Sequence, residues 1–244
     1  MGYKMAVYQK VVALNKEAHR NFKLKLITDL SFTADMQTMP VAPTEFVEAA
    51  KEYPIVFVKP STTGTEILPM LLLGLKNGEN LYVKKDGTWD ARYIPAFIRR
   101  YPFIFASTGN DQFTLCVDSE YAGFSEGDGT PLFENGEESP FLKEMLSFVT
   151  NYHRDAQQMS RFVEKLQALD LLEEKNLKAE LKDGREFTVR GFYVVNEEKL
   201  LKLDAAKTHE LFTTGALALI YAHLISLSNT NRLVDMEVRQ GAAA

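Results

Sequence analysis

The chain has 244 residues, 45% hydrophobic and 25% charged, enough for one large domain with a sizeable core. Its 28 basic residues against 33 acidic ones give a formal charge of −5, which argues against nonspecific nucleic-acid binding, because that needs basic surface to displace counterions. The single cysteine, Cys116, excludes an intrachain disulfide.

Met1–Leu14 lacks a continuous apolar stretch and does not read as a secretory leader. The longest nearly apolar run, Ala216–Leu227, contains His223 and Ser226 and falls short of the ~20 residues of a bilayer span, so no membrane span is expected. The expected location is the cytoplasm, with export by a route lacking a cleaved leader left open.

Residues 1–42 are irregular, with a half-buried strand predicted at Phe22–Leu26 from its alternation. Thr44–Glu52 reads as a short helix that stops at Tyr53-Pro54, since the residue before proline is pushed out of the helical region. Ile55–Val58 follows as a strand, Ser61–Thr65 as a turn, and Ile67–Leu75 as a second strand-like run. Lys76-Asn77-Gly78 and Lys85-Asp86-Gly87 are turn signals that bracket a predicted short strand at Asn80–Lys84.

The first pattern then returns. Arg92–Arg100 reads as a helix, Tyr101-Pro102 ends it, and Phe103–Ala106 and Phe113–Val117 read as strands around a turn at Ser107–Asp111. Two helix–hairpin units joining one sheet are expected. Gly123–Ser139 is an acidic, glycine-bearing loop with an anchor at Pro131–Phe133, and its spacing does not fit an EF-hand.

Ser139-Pro140 marks a helix start, with serine as the cap and proline in the first turn. Leu142, Met145, Val149, Tyr152, Ala156, Met159, Val163 and Leu166 form a stripe that suits a protein core, with a homodimeric coiled coil as the rival. Leu177–Val195 reads as a hairpin turning at Lys182–Arg185, with Gly191 as a bulge. Short helices follow at Asn196–Leu203 and at Ala205–Thr213 behind an Asp204 cap, then Ala216–Leu233, with Gln240–Ala244 as a frayed tail. The fold class is therefore α+β: an antiparallel or mixed sheet built from two helix–Tyr-Pro–hairpin units, packed with a long helix and a C-terminal helical segment. One domain over 1–244 is expected, divisible into a sheet-rich part (1–135) and a helix-rich part with a hairpin (136–244).

No catalytic residue, metal site or cofactor is assigned. The four histidines show no ligand spacing, nucleophile-elbow and phosphate-cradling glycine patterns are absent, and Cys116 sits in an apolar run with nothing basic beside it. His223 reads as a satisfied core histidine and His153 as lying at the edge of its helix stripe. The densest polar-aromatic cluster is Trp89, Asp90, Arg92, Tyr93, Arg99, Arg100 and Tyr101. Arginines among aromatics can grip a carboxylate or a planar ligand by bidentate bonding and stacking. The competing reading is that Trp89 and Tyr93 cover the sheet, while Asp90 caps a helix and pairs with an arginine.

Several segments resemble the SapC family of bacterial proteins. They are Glu52-Tyr53-Pro54-Ile55-Val56-Phe57, Leu73–Leu81, Gly87–Pro95, Arg99-Arg100-Tyr101-Pro102-Phe103 and Leu219–Asn229, with Asn15–Arg20 near the start. The resemblance implies an association with bacterial surface-layer systems and brings no catalytic residue set. Some family members are labelled as peptide-transport components, and others are encoded beside tryptophan-halogenase-like and cupin-like proteins and outer-membrane receptors. The expected function is a non-enzymatic accessory or binding protein with an envelope or surface-layer protein partner. The alternative is an enzyme or enzyme accessory acting on an amino-acid-like or peptide ligand held by the Trp89–Tyr101 cluster.

Overall fold

The computed structural model describes residues 7–26, 28–59, 66–109, 112–180 and 186–242. Its strands are β1 (Val11–Ala13), β2 (Lys23–Leu24), β3 (Thr38–Pro40), β4 (Ile55–Val58), β5 (Leu68–Leu72), β6 (Phe103–Gly109), β7 (Gln112–Asp118), β8 (Phe124–Ser125), β9 (Thr130–Pro131), β10 (Phe133–Glu134), β11 (Glu137–Glu138), β12 (Leu172–Glu180) and β13 (Glu186–Val195). Its α-helices are α1 (Phe46–Ala49), α2 (Ala96–Arg99), α3 (Pro140–Ala168), α4 (Glu197–Leu201), α5 (Ala205–Thr213), α6 (Ala216–Ser226) and α7 (Thr230–Ala242). The α+β class and the antiparallel pairing agree with the sequence reading. The predicted turns at Ser61–Thr65 and Lys182–Arg185 lie outside the described residues, as do Asn110 and Asp111 of the predicted Ser107–Asp111 turn.

Both Tyr-Pro units form, yet they enter different sheets. The first contributes β4 and β5 to a five-stranded antiparallel sheet ordered β12-β13-β4-β5-β3, and the second contributes β6 and β7 to a three-stranded sheet with β1. This corrects the expectation of one shared sheet. The neighbour of β4 is instead β13, through Phe192 opposite Val58 and Tyr193 opposite Phe57, a pairing no local signal marks. The units differ at their break as well, since the Tyr101-Pro102 peptide is cis.

Other differences have local causes. Asn80–Lys84 is not a strand: the Asn80 side chain accepts from the Tyr82 amide and donates to the Thr33 carbonyl, holding a turn, and only an isolated bridge joins Val83 to Trp89. The second helix is confined to Ala96–Arg99, because Pro95 excludes Ile94 from the helical region. The predicted final helix is interrupted by a 3₁₀ turn at Leu227–Asn229 and then runs on to Ala242, so the expected fraying from Gln240 does not describe residues 240–242. Capping followed the sequence closely. Ser139 Oγ, Asn196 Oδ1 and Asp204 Oδ1 accept from the Leu142, Lys199 and Lys207 amides. Gly191, at φ +78°, sits where the β12–β13 register slips, as a bulge requires.

Two hydrophobic clusters fill the interior. The larger lies under the five-stranded sheet, and the smaller gathers Leu24, Phe103, Val117, Tyr121 and Leu132 beside the three-stranded one. Helix α3 serves both: Leu142 and Val149 enter the smaller cluster, while Met159, Phe162, Val163 and Leu166 enter the larger. Its apolar stripe is thus used within the chain, with one departure: the stripe predicts Ala156 to be buried, but Ala156 is exposed and Asp155 is buried in that turn. Among the described residues, no single helix is long and apolar enough to cross a membrane.

The C-terminal helices are tied to the first unit by a comb of polar side chains. Continuing the β4–β13 register would set Val195 against Ile55, but the His223 ring stands between them. The Val195 amide donates to Nε2 at 3.0 Å and Nδ1 donates to the Ile55 carbonyl at 2.8 Å. These partners define a neutral imidazole protonated on Nδ1. Burial pushes its pKa down to about 4, although the Ile55 carbonyl works the other way. Ser226 Oγ accepts from the Ile55 amide, and Asn229 Nδ2 donates to the Ala50 and Tyr53 carbonyls.

Candidate functional site

The Trp89–Tyr101 residues do not converge on one point. They divide into three environments around the segment that links the two Tyr-Pro units.

Trp89 faces the first unit. Its Nε1 donates to the Tyr53 hydroxyl at 2.7 Å, and that hydroxyl donates to the Tyr93 carbonyl. Tyr82 completes the stack, 4.6 Å from the Tyr53 ring and 5.8 Å from Trp89 between centroids. Burial raises the Tyr53 and Tyr82 pKa values far above the ordinary phenol, so both hydroxyls stay protonated. Asp90 does not cap a helix. It pairs with Lys84 at 3.0 Å, while its carbonyl accepts from Arg232 Nη2 at 2.8 Å.

Arg92, Tyr93 and Arg99 form the second group, gripped by two carboxylates of the preceding unit. The Glu52 carboxylate accepts from the Arg92 and Tyr93 amides at 3.0 Å and from Arg232 Nη1 at 3.1 Å. Glu45, only 4% exposed, accepts from the Tyr93 hydroxyl at 2.7 Å, from the Ala96 amide at 2.6 Å and from the Ala42 amide at 3.0 Å. Three donors compensate a buried carboxylate for the water it has lost. Burial first, then the neighbouring Glu45 charge and its hydrogen bond, hold the Tyr93 hydroxyl protonated well beyond its usual range. Arg99 donates to that hydroxyl and to the Ile94 carbonyl, and its guanidinium lies over the Tyr93 and Phe148 rings at 5.5 and 5.1 Å.

Arg100 and Tyr101 turn the other way. The Arg100 guanidinium is buried among Tyr152, Phe97 and Tyr8, at 4.5, 4.9 and 5.9 Å from the ring centroids. Tyr101 donates to Asp118 Oδ2 at 3.1 Å. Asp118, wholly buried, also accepts from the Gln9, Lys10 and Glu120 amides. Burial opposes its charge, but these four hydrogen bonds outweigh it and hold the carboxyl below the usual carboxylate range. This third group fastens the segment before β1 to the end of β7.

Tyr93 is flanked by two hollows. One is an open groove of about 560 Å³ with Glu48, Lys51, Glu52, Arg92 and Arg232 around it. The other is a cavity of about 340 Å³ walled by Tyr93, Phe148 and Tyr152. The buried carboxylates of Glu45 and Asp155 line that cavity, together with the exposed Arg99 and Arg154. Glu45, Glu52, Asp155 and Arg232 escaped the sequence search. The available signals were slight: an acid immediately before Tyr53-Pro54, and an acid beside an expected stripe position.

The remaining candidates are structural in setting. His223 is the satisfied core histidine expected. His153 Nε2 is buried without a hydrogen bond among the described residues, and its ring packs 4.2 Å from Phe113. Burial raises the Cys116 pKa, so its thiol is held away from the reactive thiolate form. Among the described residues, no three His, Cys, Asp or Glu side chains gather into a metal-binding group.

The arrangement is that of an α+β protein in which one Tyr-Pro unit clamps the lead-in to the other, leaving a charged hollow on each side of the clamped tyrosine. The chain belongs to the SapC family, whose model matches residues 14–233 of its 244. No match is found among the curated proteins or the solved structures.

Proposed function

We propose that this SapC-family chain is a non-enzymatic binding protein for a small peptide-like or amino-acid-like ligand, working as an accessory to a bacterial envelope or surface-layer protein. The observation that carries the ligand reading is Tyr93, a shared wall between two hollows that each present carboxylates, cations and an aromatic ring. Charges of both signs beside aromatic faces suit a zwitterionic or amide-bearing ligand. The binding surface is accordingly narrowed to Arg92, Tyr93 and Arg99, since Arg100 and Tyr101 are spent on internal contacts.

The ligand reading is tested by thermal-shift and calorimetric titration with short peptides and free amino acids. Stabilisation that is lost in Arg99→Ala is expected, and indifference to every such ligand would remove it. The envelope reading rests on the family resemblance. Fractionation and pull-down from the native cell test it, and a chain recovered solely from the cytosol without an envelope partner would count against it.

A further inference from the structure

The cavity beside Tyr93 contains a buried charge that the fold does not fully use. Asp155 lies on α3 with 8% of its surface exposed, and the Thr44 hydroxyl donates to its Oδ2 at 2.8 Å. Among the described residues that is the hydrogen bond the structure gives this carboxylate, whereas Glu45 has three donors. A buried carboxylate ordinarily gathers several donors or a cation, because an uncompensated charge away from water is costly. Here the deficit faces a hollow.

The same hollow carries cations of a different character. Arg154 is exposed and donates through Nη2 to Asn151 at 2.9 Å. Arg99 is exposed too, and its Nε and Nη2 are used. Guanidiniums retain further N–H groups beyond such bonds, and their fork matches a carboxylate. Phe148 and Tyr152 add aromatic wall to the same cavity. The volume of about 340 Å³ is near the low end of small-molecule sites, about 300–1,000 Å³.

We infer that this cavity binds one free amino acid with an aromatic or large apolar side chain, its α-ammonium on Asp155 and its α-carboxylate towards Arg154 and Arg99. The inference rests on the ligand reading above and deepens it, because it requires a free amino group. A peptide lying in the outer groove, with its amine blocked, would satisfy the broader proposal and fail this one.

The experiment is calorimetric titration of the full chain with L-phenylalanine, L-tyrosine and L-leucine, each compared with its N-acetyl and its amide derivative. A capped tripeptide, N-acetyl-Ala-Phe-Ala-amide, serves as the separating control. At least one free amino acid is expected to bind at least tenfold more tightly than both derivatives. Asp155→Asn is expected to remove that preference over the N-acetyl form. Arg154→Gln, a change at an exposed position that leaves the core intact, is expected to weaken the preference over the amide, Arg99 remaining. Equal binding of free and N-acetylated forms overturns the inference. So does an equal loss of all ligands in Asp155→Asn, and so does an Arg154→Gln chain that discriminates against the amide as strongly as the parent. If none of the three amino acids binds, the inference falls, and the capped tripeptide then decides whether the broader ligand reading falls with it.

Discussion

The indole of Trp89 donates its one N–H to the hydroxyl of Tyr53, 2.7 Å away, and that hydroxyl passes a hydrogen bond on to the Tyr93 carbonyl. One phenol therefore joins the first Tyr-Pro break to both ends of the stretch Trp89–Tyr93. Tyr53→Phe keeps the ring packing and deletes both bonds. It should cost about 1–3 kcal/mol, the usual penalty for leaving a buried donor unpaired. Because Trp89 is the only tryptophan, its fluorescence should report the change directly. A spectrum and a urea midpoint identical to those of the parent would contradict the relay.

Glu52 should matter more than its place at a helix end suggests. Its carboxylate faces two amides and the Arg232 guanidinium, so Glu52→Gln sets an NH₂ group against donors. A loss of about 2 kcal/mol is expected, within the range for charge-assisted hydrogen bonds. Equilibrium denaturation measures it, and Glu48→Gln, a neighbouring exposed acid paired with Lys51, serves as the mild control.

His223 predicts an acid sensitivity in a defined window. Its folded pKa of about 4 lies below the ordinary 6.5. The unfolded chain therefore takes up the proton first as pH falls. The stability contribution is complete above pH 6.5, declines as pH drops towards 4, and is then exhausted. A difference of that size corresponds to roughly 3 kcal/mol across that interval. Urea unfolding at stepped pH should show the decline, and His223→Asn should flatten it while lowering stability at neutral pH.

Asp118 acts at more acid pH. Its folded pKa is depressed, so its contribution is present above the unfolded carboxylate value near 4 and is lost as pH falls below it. Asp118→Ala should free the segment at Gln9 and Lys10. Hydrogen exchange would then rise at those amides and across β1 before it rises elsewhere. Uniform exchange behaviour would show that the carboxylate is not what holds this segment.

Arg99→Ala should separate binding from stability. The guanidinium is exposed, and its contacts with Tyr93 and Phe148 are of the kind worth about 0.5–1 kcal/mol at such sites. The thermal midpoint should therefore move little while affinity for amino-acid-like ligands drops. A large fall in the midpoint would mark Arg99 as a structural residue.

What could be read from the residues alone was local. Ser139, Asn196 and Asp204 cap the helices assigned to them because a cap depends on a few neighbouring positions. Gly191 was recognisable as a bulge for the same reason. The division into two sheets was not legible, because β13 finds β4 across most of the chain and nothing near either strand announces it. The Trp89–Tyr101 cluster drew attention by composition, but adjacency in sequence did not make a site. Arg99 and Arg100 are neighbours at the end of a helical turn, where successive side chains diverge by about 100°. One reaches the Tyr93 hydroxyl at the surface, while the other is buried against Tyr152. The acids that organise the hollows were invisible because most of their partners come from distant segments: the Arg92 and Tyr93 amides and Arg232 for Glu52, the Ala96 amide and Tyr93 hydroxyl for Glu45, and the Thr44 hydroxyl for Asp155.

The comb of His223, Ser226 and Asn229 has a consequence for how the protein is made. The Ile55 amide and carbonyl wait for partners 171 and 168 residues farther along the chain. At about 5–20 residues per second, the ribosome needs on the order of 10–30 s to deliver them. Throughout that interval the β4 edge that β13 and His223 will cover stays open, available to chaperones and to other nascent chains. The closing of this fold thus waits on the synthesis of α6, and a ribosome stalled before the His223 codon would hold a chain with its principal sheet unsealed.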